Sequence, residues 1–273
     1  RETVPKTVNL SEREMQEEEF LPVSSSGHLV LLYNIFGIHD DQILLTILLH
    51  VATLVAVIIY YRKELISLLL HPFCPTNRKI AVSTITTAIM YLALHKIIER
   101  AFDGRYLFAC FIVTAILLLV SEYLSEKRDI LTRTHQQLLE NLKCDTLDIT
   151  DFPITYGQAI VLGLAQGVAI LPGISRSGST IAVGSMLGVK YMPTYSFIIS
   201  IPVIVGSLIL ELVRGNVHTT INPIGLILSM VICAVVGYLS IRLVDHLGKK
   251  NKLSYFAYYL IALSTVLVVL SFI

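Results

Sequence analysis

Charged side chains are scarce in this sequence: Asp, Glu, Lys and Arg make up 15% of its 273 residues against 54% hydrophobic, and mean hydropathy is +0.72. So little charge on so apolar a chain excludes a soluble domain with an ordinary core and marks an integral membrane protein. The balance of charge excludes a second class. Net charge is +1, and no basic cluster interleaved with aromatics offers the footprint that a nucleic acid needs, so no nucleic-acid partner is expected. Cysteine is sparse as well. Cys74, Cys110, Cys144 and Cys233 are widely spaced, without a C-x-x-C pair or a Cys/His cluster, and read as apolar fillers or loop residues with no metal or redox role.

What the chain has instead is apolar runs near the ~20-residue length that crosses a bilayer, at 42–61, 79–95, 105–124, 195–213, 221–243 and 253–272. Two further stretches, 20–38 and 155–192, are interrupted by proline, glycine and hydroxyl residues. Each reads as a helical hairpin that dips into the membrane and returns, because irregular backbone is tolerated at depth only when buried in protein or lining a wet cavity. The expected fold is therefore all-α and membrane-integral, an inverted-topology repeat in which each half is a re-entrant hairpin plus three transmembrane helices. Repeat one covers 1–124 and repeat two 155–273 of a single membrane domain. The polar linker 125–154 joins them, with a surface helix expected from His135 to Leu142. Three crossings per half invert the second half, so the hairpins enter from opposite faces and their tips meet near the midplane, an arrangement that many secondary transporters also use.

Lys and Arg counts orient the chain. Segments 62–79, 125–154 and 244–252 carry eleven, whereas 96–105 and 214–220 carry four. The first set is expected on the cytoplasmic side, with both termini outside.

The two interrupted stretches contain nearly the same motif. LPVSSSGHL at 21–29 and LPGISRSGST at 171–180 share a Ser-x-Ser-Gly core, Ser24 to Gly27 and Ser175 to Gly178, at an offset of 151 residues. Gly27 and Gly178 allow close approach to a ligand, and Pro22 and Pro172 end what precedes. Helices restarting beyond them would point backbone N–H groups and a positive dipole end into the site, which favours an anion. Arg176 adds a fork of donors matched to phosphate or carboxylate, and an arginine at membrane depth is a functional candidate by default; an acid-paired arginine that holds the hairpins together is the alternative. His28 follows Ser24, Ser25 and Ser26 at a spacing that lets imidazole and hydroxyl meet across one turn, a recipe for displacement at phosphorus or carbonyl carbon. Serines also cap helices, so the pattern of the group carries more than any single hydroxyl. One loop is read as supplying the reacting group and the other as the electrophilic clamp.

Upstream lies Met15-Gln16-Glu17-Glu18-Glu19-Phe20. Carboxylates beside a phosphate site imply a divalent cation, Mg²⁺ or Ca²⁺, bridging both. Glu19, adjacent to Phe20-Leu21-Pro22, is the candidate ligand, whereas Glu17 and Glu18 read as a solvated helix end. His50 lies mid-span and either faces the site or bonds a neighbouring helix. The tyrosines near span ends, among them Tyr60, Tyr61, Tyr255, Tyr258 and Tyr259, read as interfacial anchors.

FLPVSSSGHL at 20–29, LLHVATLVAVIIYYRKEL at 48–65, GLAQGVAILPGISRSGSTIAVGSMLGV at 163–189 and FIISIPVIVG at 197–206 together resemble the bacterial undecaprenyl-diphosphate phosphatases, also called bacitracin-resistance proteins. The resemblance runs through most of 20–273. It implies a multi-pass enzyme of the bacterial inner membrane, its site opening to the outer face, that removes the terminal phosphate of a C55 polyprenyl diphosphate and recycles the carrier lipid for cell-wall synthesis. It also implies Ser25, His28, Arg176 and Glu19 as catalytic, and Ser24, Ser26, Gly27, Ser175, Ser177, Gly178 and Thr180 as phosphate-binding. Whether Ser25 attacks with His28 as base, or His28 attacks itself, stays open, and so does a homodimer. The family's acidic motif, a pattern like E-G-x-T-E-F, keeps only its second glutamate here, as Glu19; Met15 and Gln16 stand at the first two positions, and residues 1–18 lack the apolar helix the family places there. Thr86 stands where the resemblance implies proline. A lipid carrier of the same architecture and a catalytically impaired homologue are the competing readings.

Overall fold

A computed structural model describes residues 8–9, 22–36, 42–101, 104, 106–136, 146–147, 149–214, 223–249 and 252–271. Helices dominate it: α1 (Ser25–Phe36), α2 (Gln42–Tyr60), α3 (Arg62–Leu70), α4 (Pro75–Ala101), α5 (Leu107–Gln136), α6 (Tyr156–Val168), α7 (Arg176–Met186), α8 (Met192–Arg214), α9 (Pro223–Lys249) and α10 (Ser254–Ser271). Two residue pairs make a minimal antiparallel ladder, β1 (Val8–Asn9) with β2 (Thr146–Leu147), in the register Val8 to Leu147 and Asn9 to Thr146.

All six expected spans coincide with helices. Among the described residues, four segments are long and apolar enough to cross a bilayer: Pro75–Ile98, Leu107–Arg128, Met192–Leu210 and Met230–Leu247. Val51–Tyr60 and Ser254–Val269 are shorter apolar stretches. Their outward faces are made of large aliphatics. On α4, Ile85, Ile89 and Leu92 recur at i, i+4 and i+7 and are 59%, 60% and 69% exposed; a stripe of that kind belongs against lipid rather than water. The chain is a multi-pass membrane protein.

Inside, Phe111, Ala115 and Leu118 of α5, Ala159 and Leu162 of α6, Ile181 and Ala182 of α7, Tyr195 and Ile199 of α8, Ile241 and Val244 of α9, and Ala257 and Leu260 of α10 form one buried cluster. Small residues let α4 and α6 approach closely. A Cβ on Gly163 would lie 2.5 Å from the Ser83 carbonyl, and one on Gly167 would lie 2.4 Å from Met90 Cβ. The Ser83 hydroxyl donates to the Ala159 carbonyl at 2.8 Å and the Thr87 hydroxyl to the Gly163 carbonyl at 3.0 Å. Close backbones and interhelical hydroxyl bonds are the means by which helices associate where lipid removes the hydrophobic drive. Thr86 needs no proline's kink: its hydroxyl bonds back to the Val82 carbonyl at 2.8 Å within an unbroken α4.

The linker differs from expectation at its start. Helix α5 does not end at 124 but continues to Gln136, taking in His135; the rest of the expected surface helix, 137–142, lies outside the described residues. Arg128, on this extension, donates to the carbonyls of Ser185 and Met186 at the end of α7, satisfying acceptors that a helix C-terminus leaves open. The turn beyond α7 has to be glycine: Gly188 has φ +77°, and a Cβ there would meet the Arg128 guanidinium at 2.6 Å. At the linker's far end Lys79 binds Asp151 at 2.9 Å and the Phe152 carbonyl at 2.9 Å, while the Phe152 N–H donates to the Thr76 hydroxyl. These contacts fasten residues 149–152 to the start of α4.

Candidate functional site

The two Ser-x-Ser-Gly segments fold alike. Ser24 and Ser175 are each the residue before a helix, and each hydroxyl accepts the backbone N–H three residues on, Gly27 at 3.3 Å and Gly178 at 3.1 Å. These are N-caps, which satisfy one donor that a helix start leaves open. The serine two residues on stands beside each cap: Ser26 Oγ is 3.4 Å from Ser24 Oγ, and Ser177 Oγ is 3.5 Å from Ser175 Oγ. The caps differ in backbone. Ser175 is extended, with φ −70° and ψ 120°, whereas Ser24 has φ +61°. That left-handed conformation costs an L-residue other than glycine roughly 1–2 kcal/mol and recurs at functional sites.

The loops also meet. A Cβ on Gly27 would lie 2.8 Å from Gly173 Cα and 2.7 Å from the Phe111 ring, and one on Gly178 would lie 3.2 Å from Pro22 Cβ. Each loop's glycine therefore lies against the other loop, and the starts of α1 and α7 are neighbours. Helix α5 holds the second loop from behind. The Thr114 hydroxyl donates to the Gly173 carbonyl at 3.2 Å and accepts the Ser175 N–H at 3.0 Å. Gly173 has φ +92°, and a Cβ would meet Cys110 at 2.6 Å, so the turn after Pro172 is restricted to glycine twice over.

The remaining candidates are distributed between site and scaffold. Ser25 is exposed, Ser26, His28, Arg176 and Ser177 are half-buried, and Ser24, Gly27, Ser175, Gly178 and Thr180 are buried. Arg176 is the first residue of α7, so the helix N-terminus itself carries the arginine. Thr180 is fully buried, and its hydroxyl bonds the Arg176 carbonyl at 2.8 Å and Ser196 of α8, tying α7 to α8. His28 meets Ser24 through the backbone rather than the hydroxyl. Its Nδ1 lies 2.9 Å from the Ser24 carbonyl and its Nε2 lies 2.8 Å from the Tyr259 hydroxyl. Glu19, Glu17, Glu18 and Met15 lie outside the described residues, as does the His50 side chain.

Three groups were not placed at the site from the sequence: Thr114, Phe111 and Tyr259. The first two sit in an apolar run where only burial gives them a role. Tyr259 reads as an interfacial anchor beside Tyr255 and Tyr258, yet it bonds His28 across 231 residues. A fourth group follows from the repeat itself. The 151-residue offset carries position 15 onto Gln166, which is fully buried, its amide donating to the Thr87 hydroxyl at 3.2 Å and the Ile199 carbonyl at 3.4 Å.

The donors gathered here, two helix starts, Arg176 and several hydroxyls, suit an anion. Among the described residues no group of three or more His, Cys, Asp or Glu side chains could hold a metal ion. Comparison with known proteins decides the kinship. Residues 18–266 match the family described as Bacitracin resistance protein BacA. The chain belongs to that family. Its curated relatives include the undecaprenyl-diphosphatase of Carboxydothermus hydrogenoformans, 34% identical over 260 residues with 92% of each chain covered. Another, from Treponema denticola, is 36% identical over 262 residues, covering 90% of this chain and 89% of its own. A third, from Methanosphaera stadtmanae, is 35% identical over 280 residues, covering 93% of each. Both Ser-x-Ser-Gly loops fall inside the span matched to the family.

Proposed function

We propose that this protein hydrolyses undecaprenyl diphosphate to undecaprenyl phosphate and inorganic phosphate. Family membership and relatives bearing the undecaprenyl-diphosphatase name support the activity. The observation that carries the site is the mutual approach of the two loops, Gly27 on Gly173 and Gly178 on Pro22. It brings the His28 helix and the Arg176 helix start to one place, where phosphoryl transfer can be served by positioning and charge stabilisation.

In the reaction the bond between the terminal phosphorus and the bridging oxygen breaks, and the lipid leaves as its monophosphate. Water supplies the oxygen that ends on the released phosphate, directly or after transfer to an enzyme group. Arg176 and the N–H groups that open α1 and α7 hold phosphate oxygens and stabilise the developing charge. Ser25 Oγ attacks phosphorus and passes its proton to His28 Nε2, or Nε2 attacks phosphorus itself. Trapping the phosphorylated intermediate and mapping the label separates the two. Ser24 and Ser175 act as the caps that shape the loops, and Ser26 and Ser177 stand beside them.

A divalent cation, Mg²⁺ or Ca²⁺, held through Glu19, would neutralise further phosphate charge; this rests on the sequence around Glu19. The inverted repeat belongs to the same proposal. Helix α5 packs on α10, α2 packs on both α8 and α9, and α4 packs on α8, so helices of each half pair across the halves. At 13 and 11 residues, α6 and α7 are short of the ~20 that a span needs, which supports a re-entrant hairpin. With the cationic loops on the cytoplasmic side, the site opens to the outer face of a bacterial inner membrane.

Phosphate release from C55 polyprenyl diphosphate by purified protein tests the proposal. His28→Ala and Arg176→Ala are each expected to lower it about a hundredfold or more. Movement of lipid between leaflets with no phosphate release would instead make the protein a carrier. Met15→Glu tests the altered acidic segment: unchanged, full activity would show that nearby acids suffice.

A further inference from the structure

We infer that Tyr259 is a positioning residue for His28, its hydroxyl fixing the imidazole in the tautomer and orientation that place the working lone pair on Nε2. The inference rests on the reading of His28 as a group of the reaction.

Ring orientation is over-determined. The Ser24 carbonyl can only accept, so Nδ1, 2.9 Å away, carries the proton. In the neutral ring Nε2 then accepts, and the Tyr259 hydroxyl at 2.8 Å donates to it. The two rings are nearly parallel, 9° between planes with centroids 5.7 Å apart, while Phe111 closes another side at 5.4 Å and 56°. The carbonyl that reads Nδ1 belongs to the residue held at φ +61° whose hydroxyl caps Gly27. A strained turn, a cap and a tyrosine 231 residues away therefore act on one imidazole.

An interfacial anchor needs only its ring at headgroup depth. Tyr255, Tyr258 and Tyr259 on the same helix are all exposed, at 62%, 61% and 47%, so exposure does not separate them. Tyr259 differs in having a specific partner for its hydroxyl. The chemistry explains why that partner matters. As base or as nucleophile His28 must work through Nε2, because Nδ1 is committed to the backbone. A hydrogen bond between two neutral groups contributes little net free energy, so the tyrosine holds Nε2 ready and releases it when substrate or an attacking hydroxyl arrives. Second partners that lock a histidine's tautomer are a recurrent means of preparing it for reaction.

The test uses the full chain in detergent micelles, with C55 polyprenyl diphosphate as substrate and inorganic phosphate as readout. Tyr259→Phe keeps the ring and deletes the hydroxyl. It is expected to lower kcat roughly tenfold with KM changed by less than about twofold, and Tyr259→Ala to lower kcat at least as far. Wild-type kcat in Tyr259→Phe, with His28→Ala inactive, overturns the inference and leaves the reading of His28 standing. Full activity in His28→Ala overturns both. A second measurement needs no variant: ¹⁵N spectra of His28 in the unmodified chain are expected to show a single Nδ1–H tautomer, and a mixture of tautomers overturns the inference.

Discussion

Ser24 and Ser175 make the same hydrogen bond 151 residues apart, but only Ser24 does so from a left-handed backbone. The difference is measurable. Ser175→Ala removes a cap, a loss of about 1 kcal/mol. Ser24→Ala removes a cap and leaves the strain, whereas Ser24→Gly relieves the strain as it gives up the cap. Melting temperatures are therefore expected to fall in Ser24→Ala and to stay near wild type in Ser24→Gly. Glycines divide by the same local reasoning. Gly27→Ala would force the loops and Phe111 apart and is expected to abolish phosphate release, whereas Gly206, with nothing within 4 Å of its Cβ position, accepts alanine and gains up to about 1 kcal/mol of helix propensity. The repeat of the motif was readable in the residue string; the inequality of its two halves in backbone strain was not, because φ depends on the chain's path around the site.

At the scale of elements, the six apolar runs became six helices because bilayer length and hydropathy leave little choice. Their ends were less legible. Helix α5 runs twelve residues beyond its apolar run, to Gln136, since polar residues continue a helix once it leaves the membrane, and Arg128 uses the extra turns to cap α7. Another polar residue on α5, Glu122, accepts the Ser254 N–H at 2.7 Å and its hydroxyl at 2.9 Å, placing a carboxylate at the start of α10, where the helix dipole favours it. Glu122→Ala is expected to destabilise the protein by about 1–2 kcal/mol, read as a lower melting temperature. Between α4 and α6 the contact has no room to adjust. Gly163→Val would drive a side chain into the Ser83 backbone, and loss of folded protein in detergent is the expected result.

The whole molecule brings together what the chain keeps far apart. Loop meets loop, α5 grips the second loop through Thr114, and α10 delivers Tyr259 to His28. Thr114→Val leaves a buried carbonyl and N–H without their shared partner; an expected loss of about 1–3 kcal/mol should appear together with reduced phosphate release, because the second loop carries Arg176. By itself the sequence determined membrane residence, the number of apolar runs, the doubled motif and an anion-seeking chemistry, since each depends on composition or on spacing within one segment. Only tertiary structure decided which hydroxyls cap, that Thr180 ties α7 to α8, and that a tyrosine resembling an interfacial anchor bonds the histidine. Those outcomes depend on side chains from distant segments sharing one small volume, and no local periodicity records such a meeting.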